Sequence, residues 1–258
     1  MPRTHATPSG TVALLPGSGS TGDFLARAFA PVIGDSDTVV ITHKSGDARK
    51  IAGELTKAWD SADARTAPIT CVIGVSIGAH AAAWWACGRS DHTPANQASD
   101  VGPASVADTE LVLAMPAWSG PPESIAGVTA LAADRLAEVG VAAELAALHA
   151  EFPHDWVVTE LDSAWRTRNL EQLVTSLRGT AASYSPTPAD LARISQPTCV
   201  VALADDPLHP MAVAREWATA IPGATLATVA RDTPAVDRAV FGQAVLTAWA
   251  VRQLTESQ

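Results

Sequence analysis

The most constraining feature of the chain is the stretch Ile69-Thr70-Cys71-Val72-Ile73-Gly74-Val75-Ser76-Ile77-Gly78-Ala79-His80. An apolar run rich in β-branched residues meets Gly-x-Ser-x-Gly, and the alanine-rich segment from Ala79 to Ala86 follows at once. The order reads as strand, very tight turn and helix. A serine on such a turn is held in a strained backbone with its hydroxyl clear of the sheet edge. The first N–H groups of the new helix lie just behind it, where they can donate to an oxyanion.

Strand–helix alternation extends this local pattern to a fold. Thr11 to Leu15 reads as a buried strand closed by Pro16-Gly17-Ser18-Gly19-Ser20-Thr21-Gly22, with a helix from Asp23 to about Val32. A strand at Thr38 to Thr42 leads through His43-Lys44-Ser45-Gly46 to a helix capped by Asp47 and running to about Trp59. Residues 88–109 read as a long surface loop before a strand at Leu111 to Met115. From Pro121 to Tyr184 only helical periodicity is found. It predicts helices over Ser124–Val139, Val141–Ala150, Asp155–Arg166 and Asn169–Leu177. Alternation resumes with a strand at Thr198–Ala204, a helix at Met211–Ala220, a strand at Thr225–Val229 and a final helix over about Ala235–Val251. The expected fold is α/β: a mostly parallel sheet of about six strands with helices on both faces. Residues 11–116 and 186–254 would form the core and 117–185 an inserted helical cap, with residues 1–10 expected to be disordered.

Composition narrows the function. The 258 residues are 47% hydrophobic and carry a formal charge of −10, with 27 acidic against 17 basic residues. With no basic cluster, neither nucleic acid nor an anionic membrane is an expected partner. Three cysteines, two of them in apolar strand-like runs, fit a reducing compartment better than a disulfide framework. Met1 to Gly10 has no apolar signal-like core, and no run approaches the ~18 apolar residues of a membrane span. A cytoplasmic protein acting on a small molecule is expected, with oligomeric state left open.

In a parallel sheet the loops at the carboxyl ends of the strands share one rim, where sites form. Ser76 is the nucleophile candidate there, and the backbone N–H groups of Ser18 and Ile77 are the oxyanion donors. After the fifth strand comes Ala204-Asp205-Asp206-Pro207-Leu208-His209-Pro210. Asp206, with Asp205 as runner-up, could orient an imidazole as a triad acid does; the pair could equally open a polar turn. The Gly17–Gly22 loop also matches Gly-x-Gly-x-x-Gly between strand and helix. No acidic residue follows at the ribose position, although Lys44 could suit a 2′-phosphate, so an NADP-dependent reductase is a third reading. Trp118, in the loop joining sheet to cap, is the expected pocket wall and would favour a small apolar acyl or aryl group.

The oxyanion-type loop at Pro16-Gly17-Ser18, the elbow at 74–78, the helical insertion and Asp206-Pro207-Leu208-His209-Pro210 resemble the α/β-hydrolase family, in family order, over nearly all of residues 11–252. The resemblance implies ester or related acyl hydrolysis through a Ser–His–acid triad without a cofactor. It also implies a histidine after the last strand, where this chain reads Val229-Ala230-Arg231-Asp232-Thr233-Pro234. His209 is the expected substitute base, with His43 behind it. His80, one helical turn from Ser76, reads as packing; His149 and His154 belong to the cap, and His92 and His5 to polar segments. No histidine set has metal-ligand spacing, so no metal is expected. The vacant histidine position keeps open a non-catalytic small-molecule binding protein.

Overall fold

The computed structural model describes residues 10–61, 67–89, 106–122 and 124–256. Six strands, β1 (Thr11–Leu15), β2 (Thr38–Val40), β3 (Ile69–Val75), β4 (Glu110–Ala114), β5 (Thr198–Leu203) and β6 (Thr225–Val229), form one sheet in the order β2-β1-β3-β4-β5-β6. Every neighbouring pair is parallel. The central strands are buried on both faces, which is why they read as continuous apolar runs.

One face of the sheet is covered by α3 (Ala48–Asp60), α4 (Ile77–Arg89) and α9 (Met211–Ala220), joined by the short α8 (Pro188–Leu191). The other is covered by α1 (Gly22–Ala28), α2 (Ala30–Ile33) and α11 (Val240–Glu256). The Asp47 side chain accepts from the Lys50 N–H at 2.9 Å and caps α3, whose Ala48, Ile51, Ala52 and Leu55 form its buried stripe.

Between β4 and β5 lie α5 (Ser124–Glu151), α6 (Trp156–Trp165) and α7 (Leu170–Ala181). Gly140, at φ 79°, interrupts α5 where the sequence places a helix boundary. These helices share a small core of their own, including Leu136, Leu145, Trp165, Leu173 and Leu177. Asp155 and Asn169 cap α6 and α7 through their side chains.

Several expected elements are divided or displaced. The helix expected over 23–32 breaks at Phe29, because Pro31 takes the first turn of a new helix. The final helix is preceded by the separate α10 (Thr233–Val236), which ends where the Asp237 side chain accepts from the Ala239 N–H at 2.9 Å. The second strand stops at Val40 rather than Thr42. Leu170, at the start of α7, is exposed, while Leu173, Val174 and Leu177 form its buried stripe. Residues 1–9, with His5, and most of the expected 88–109 loop, with His92, lie outside the described residues.

Two glycines in helices of the same face make contrasting predictions. A Cβ on Gly78 would stand 1.9 Å from the Leu15 carbonyl oxygen, so the β1 backbone would have to move; one on Gly53 meets nothing within 4 Å. In urea unfolding, Gly53→Ala should raise stability by about 0.5–1 kcal/mol. Gly78→Ala should lower it by several-fold more than that gain or prevent folding.

Candidate active site

Three non-glycine residues among those described have positive φ: Ser76 at 55°, Met115 at 52° and Asp205 at 56°. Each directly follows, or lies within two residues of, the end of one of three adjacent strands, β3, β4 and β5. Left-handed backbone at non-glycine residues costs about 1–3 kcal/mol each and gathers at functional rims. The sequence points to the first of these strained positions and gives no sign of the other two.

Ser76 is held from three sides. Its N–H donates to the Ala114 carbonyl at 2.9 Å, and its own carbonyl accepts from the N–H groups of Ala79 (2.8 Å) and His80 (3.1 Å). A Cβ on Gly74 would fall 2.3 Å from the Gly78 carbonyl oxygen, so the turn closes only because both positions lack side chains. Ser76 itself remains half-buried. Ile77 is the first residue of α4, and first-turn N–H groups have no intrahelical acceptor.

The Pro16–Gly22 loop stands against the serine: a Cβ on Gly17 would lie 3.3 Å from the Ser76 Cβ. The loop is a tight turn in which the Gly17 N–H donates to Ser20 Oγ at 2.9 Å and the Ser20 N–H to the Gly17 carbonyl at 3.1 Å. At Gly19 it lies under α6, where a Cβ would meet Leu161 Cδ2 at 2.8 Å. A dinucleotide loop must leave its glycines open to a pyrophosphate; here Gly17 faces the Ser76 turn, Gly19 faces Leu161 and Gly22 faces Val40. The order β2-β1-β3-β4 also sets β1 beside β3 and not beside β4, unlike the dinucleotide-binding sheet.

Asp206 and His209 come together. His209 Nδ1 lies 3.0 Å from Asp206 Oδ2, and Asp206 Oδ1 accepts the Leu208 N–H at 2.8 Å. The Asp206 side chain is 6% exposed and that of His209 is 17% exposed. Burial by itself would raise the Asp206 pKa. The hydrogen bond and charge of His209, the Leu208 N–H and the charge of Arg231 outweigh it and hold the carboxyl below the usual range. Asp205 supplies the left-handed turn that aims Asp206.

His80 is a fully buried neutral imidazole. Its Nε2 accepts the Ala117 N–H at 3.1 Å, which leaves the proton on Nδ1. Its ring lies edge-on to Trp118 at 4.8 Å and against Trp217 at 5.4 Å. Burial first, and the charge of His209 second, lower its pKa to about 3.

The other sequence candidates lie elsewhere. Trp118, expected as a pocket wall, is 2% exposed, packs on His80 and donates from Nε1 to the Ser183 carbonyl at 3.2 Å. It is tied into the packing between the β4 loop and the chain after α7. His43 Nδ1 is turned onto Ser45, accepting its N–H at 3.1 Å. His149 Nε2 lies 2.9 Å from Asp162 on α6, and His154 is exposed. A cavity of about 460 Å³ lies between α3 and the second half of α4, lined by Arg49, Trp84, Trp85 and Gly88, away from Ser76.

Two arginines escaped the sequence reading. Arg231 stands in the loop where the resemblance expects histidine. Its Nη2 bonds Asp155 Oδ2 at 2.6 Å, while its backbone carbonyl accepts from Trp156 Nε1 at 2.9 Å. Arg168, between α6 and α7, donates from Nη1 to the Ser18 carbonyl. Neither has a motif signal, because both act through contacts more than 70 residues away in sequence.

The buried imidazole makes stability depend on pH. The unfolded chain protonates His80 below about pH 6.5, whereas the folded chain does so only near pH 3. The unfolded state therefore binds the extra proton between those values, and stability falls as pH drops through that window. Denaturant titrations should show a His80 contribution of about 1.4 kcal/mol per pH unit at most. His80→Gln should be less stable at pH 7.5 but lose this part of the acid slope.

No family model and no curated protein sequence matches the chain. Solved structures do. A hydrolase from Pseudomonas aeruginosa is 21% identical with a TM-score of 0.62, the match covering 93% of this chain and 89% of that one. The enol-lactonase from Burkholderia xenovorans is 16% identical at 0.64, covering 96% and 92%. A thermophilic esterase from Thermogutta terrifontis is 16% identical at 0.63, covering 96% and 90%. Together with the six-stranded parallel sheet and its covering helices, these likenesses show that the chain has the α/β-hydrolase fold.

Proposed function

We propose that the chain is a serine hydrolase acting on a small-molecule ester or related acyl substrate. The observation that carries this reading is the left-handed, half-buried Ser76, with the Gly17 loop against it. The Asp206–His209 pair on the same rim supports it. Asp206 engages Nδ1 and leaves Nε2 of His209 to act as base. Nε2 would take the Ser76 proton as Oγ attacks the acyl carbon. The carbonyl oxygen, now negative, would be received by the N–H groups of Ile77 and Ser18. His209 would return the proton to the departing alcohol, then activate the water that frees the acid and restores Ser76.

In this reading the acid and base share one loop, three positions apart, instead of standing on two. The β5 loop starts two strand spacings, about 10 Å, from the end of β3, and the largely buried side chain of His209 supports an inward-facing ring. Residues 117–185 would serve as the cap. The packing of Trp118 gives no support to an apolar acyl preference.

Fluorophosphonate labelling and p-nitrophenyl acetate turnover test the proposal. Labelling should vanish in Ser76→Ala, and His209→Gln should lower kcat by about 10²–10⁴. Turnover unaffected by His209→Gln would remove it as base. The imidazole-free β6 loop favours a second reading, a non-catalytic binding protein, which predicts neither labelling nor turnover in the wild-type chain.

A further inference from the structure

A guanidinium carries five N–H donors. Arg168 spends one on the Ser18 carbonyl, and among the described residues no carboxylate lies within ion-pair distance of it. Counter-ions are not scarce, since acidic residues outnumber basic ones 27 to 17. The carboxylates of α6 and its cap are all engaged by other cations. Asp155 holds Arg231, Glu160 holds Arg27 and Arg238, and Asp162 holds Arg166 and lies beside His149. Burial lowers the Arg168 pKa with no neighbouring charge to oppose it. A half-buried cation left without an anion is costly.

A second donor lacks an acceptor on the same loop. Trp165 is 3% exposed, and its Nε1 has no hydrogen-bond partner. That nitrogen stands 3.6 Å from where a Gly19 Cβ would be, one residue from the carbonyl that Arg168 holds. The backbone joins the two side chains, the Arg168 N–H donating to the Trp165 carbonyl at 3.2 Å. Gly17, at the other end of this turn, is the residue against Ser76.

We infer that Arg168 and the Trp165 indole N–H receive a carboxylate of the substrate, so that the ester opened at Ser76 carries an acid at the far end of its acyl chain. Two residues span at most about 7 Å. An anion beside Ser18–Gly19 therefore lies within a short reach of Gly17, the residue against Ser76, and the monoester of a short dicarboxylic acid is the substrate class that spans such a gap. Hydrolysis would then add water across one ester bond, releasing the alcohol and the diacid. The inference rests on the serine-hydrolase reading for its chemistry but not for its binding site.

The test separates the two. Rates are compared for mono-p-nitrophenyl glutarate and p-nitrophenyl pentanoate in the wild-type chain, Arg168→Gln and Arg168→Lys. Glutarate itself is added in thermal melts of these proteins and of Ser76→Ala. The expected result is a preference in kcat/KM for the acidic ester. The ratio should fall by about tenfold or more in Arg168→Gln, the scale of a hydrogen bond to a charged group, and by less in Arg168→Lys. Glutarate should raise the melting temperature of the wild type and Ser76→Ala but not of Arg168→Gln. An unchanged ratio, or a glutarate effect independent of Arg168, overturns the inference and leaves the hydrolase reading standing. Arg168-dependent glutarate binding without turnover of any ester upholds the anion site and removes the hydrolase reading.

Discussion

The structure depends on how closely the turn after β3 approaches the end of β1. Gly78 brings the backbone of α4 within contact of the Leu15 carbonyl, and Gly74 lets the two ends of the turn touch. Any side chain at either position would push helix and strand apart. With both absent, the chain turns through a single left-handed residue, and that residue is Ser76. The N-terminus of α4 is thereby set directly behind the hydroxyl, so one packing constraint yields both a strained serine and a helix start beside it.

The same rim is strained at two further strands, and the strain is held in place by buried bonds. Met115 donates its N–H to the Val201 carbonyl at 2.7 Å, which continues the β4–β5 pairing into the turn. Two residues on, the Ala117 N–H is held by His80 of α4. The imidazole thus fixes the β4 loop to the helix carrying the serine, and it can do so only while neutral. Asp205 turns the β5 loop so that Asp206 faces inward and meets His209. Three adjacent loops are thus fixed by backbone geometry before any substrate arrives, which is the preorganisation that charge stabilisation requires.

How much of this was legible follows from the range of each interaction. The six strands, the elbow, the cap at Asp47 and the helix starts at Asp155 and Asn169 are written in neighbouring residues, and the sequence reading reaches them. The breaks at Phe29 and Asp237 depend on local competition between proline, aspartate and helix, and periodicity alone runs across them. The packing of Trp118 is illegible for a different reason: its neighbours His80 and Ser183 are 38 and 65 residues away, and loop position carries no record of them. Arg168 and Arg231 were missed because a charge on a helix end looks the same whether it meets water, a carboxylate or a carbonyl.

The inserted helices show why those arginines matter. On one side α7 meets the β2 loop with almost no side-chain volume between: a Cβ on Gly179 would lie 1.6 Å from the Ser45 carbonyl oxygen, and Thr180 Oγ1 donates to the Gly46 carbonyl at 3.1 Å. On the other, α6 rests Trp156 between Phe24 and Phe241. Glu160 is bound there by Arg27 and Arg238. Docking at both ends fixes the segment between α6 and α7 over the Gly17 turn. Arg231, in the loop that carries the base in the resemblance, is taken into this docking by Asp155. A histidine there would have to give up that ion pair, whereas one beside Asp206 does not. Arg231 thus anchors α6 from the end of β6, while the imidazole that meets a buried carboxylate on this rim stands on the β5 loop at residue 209.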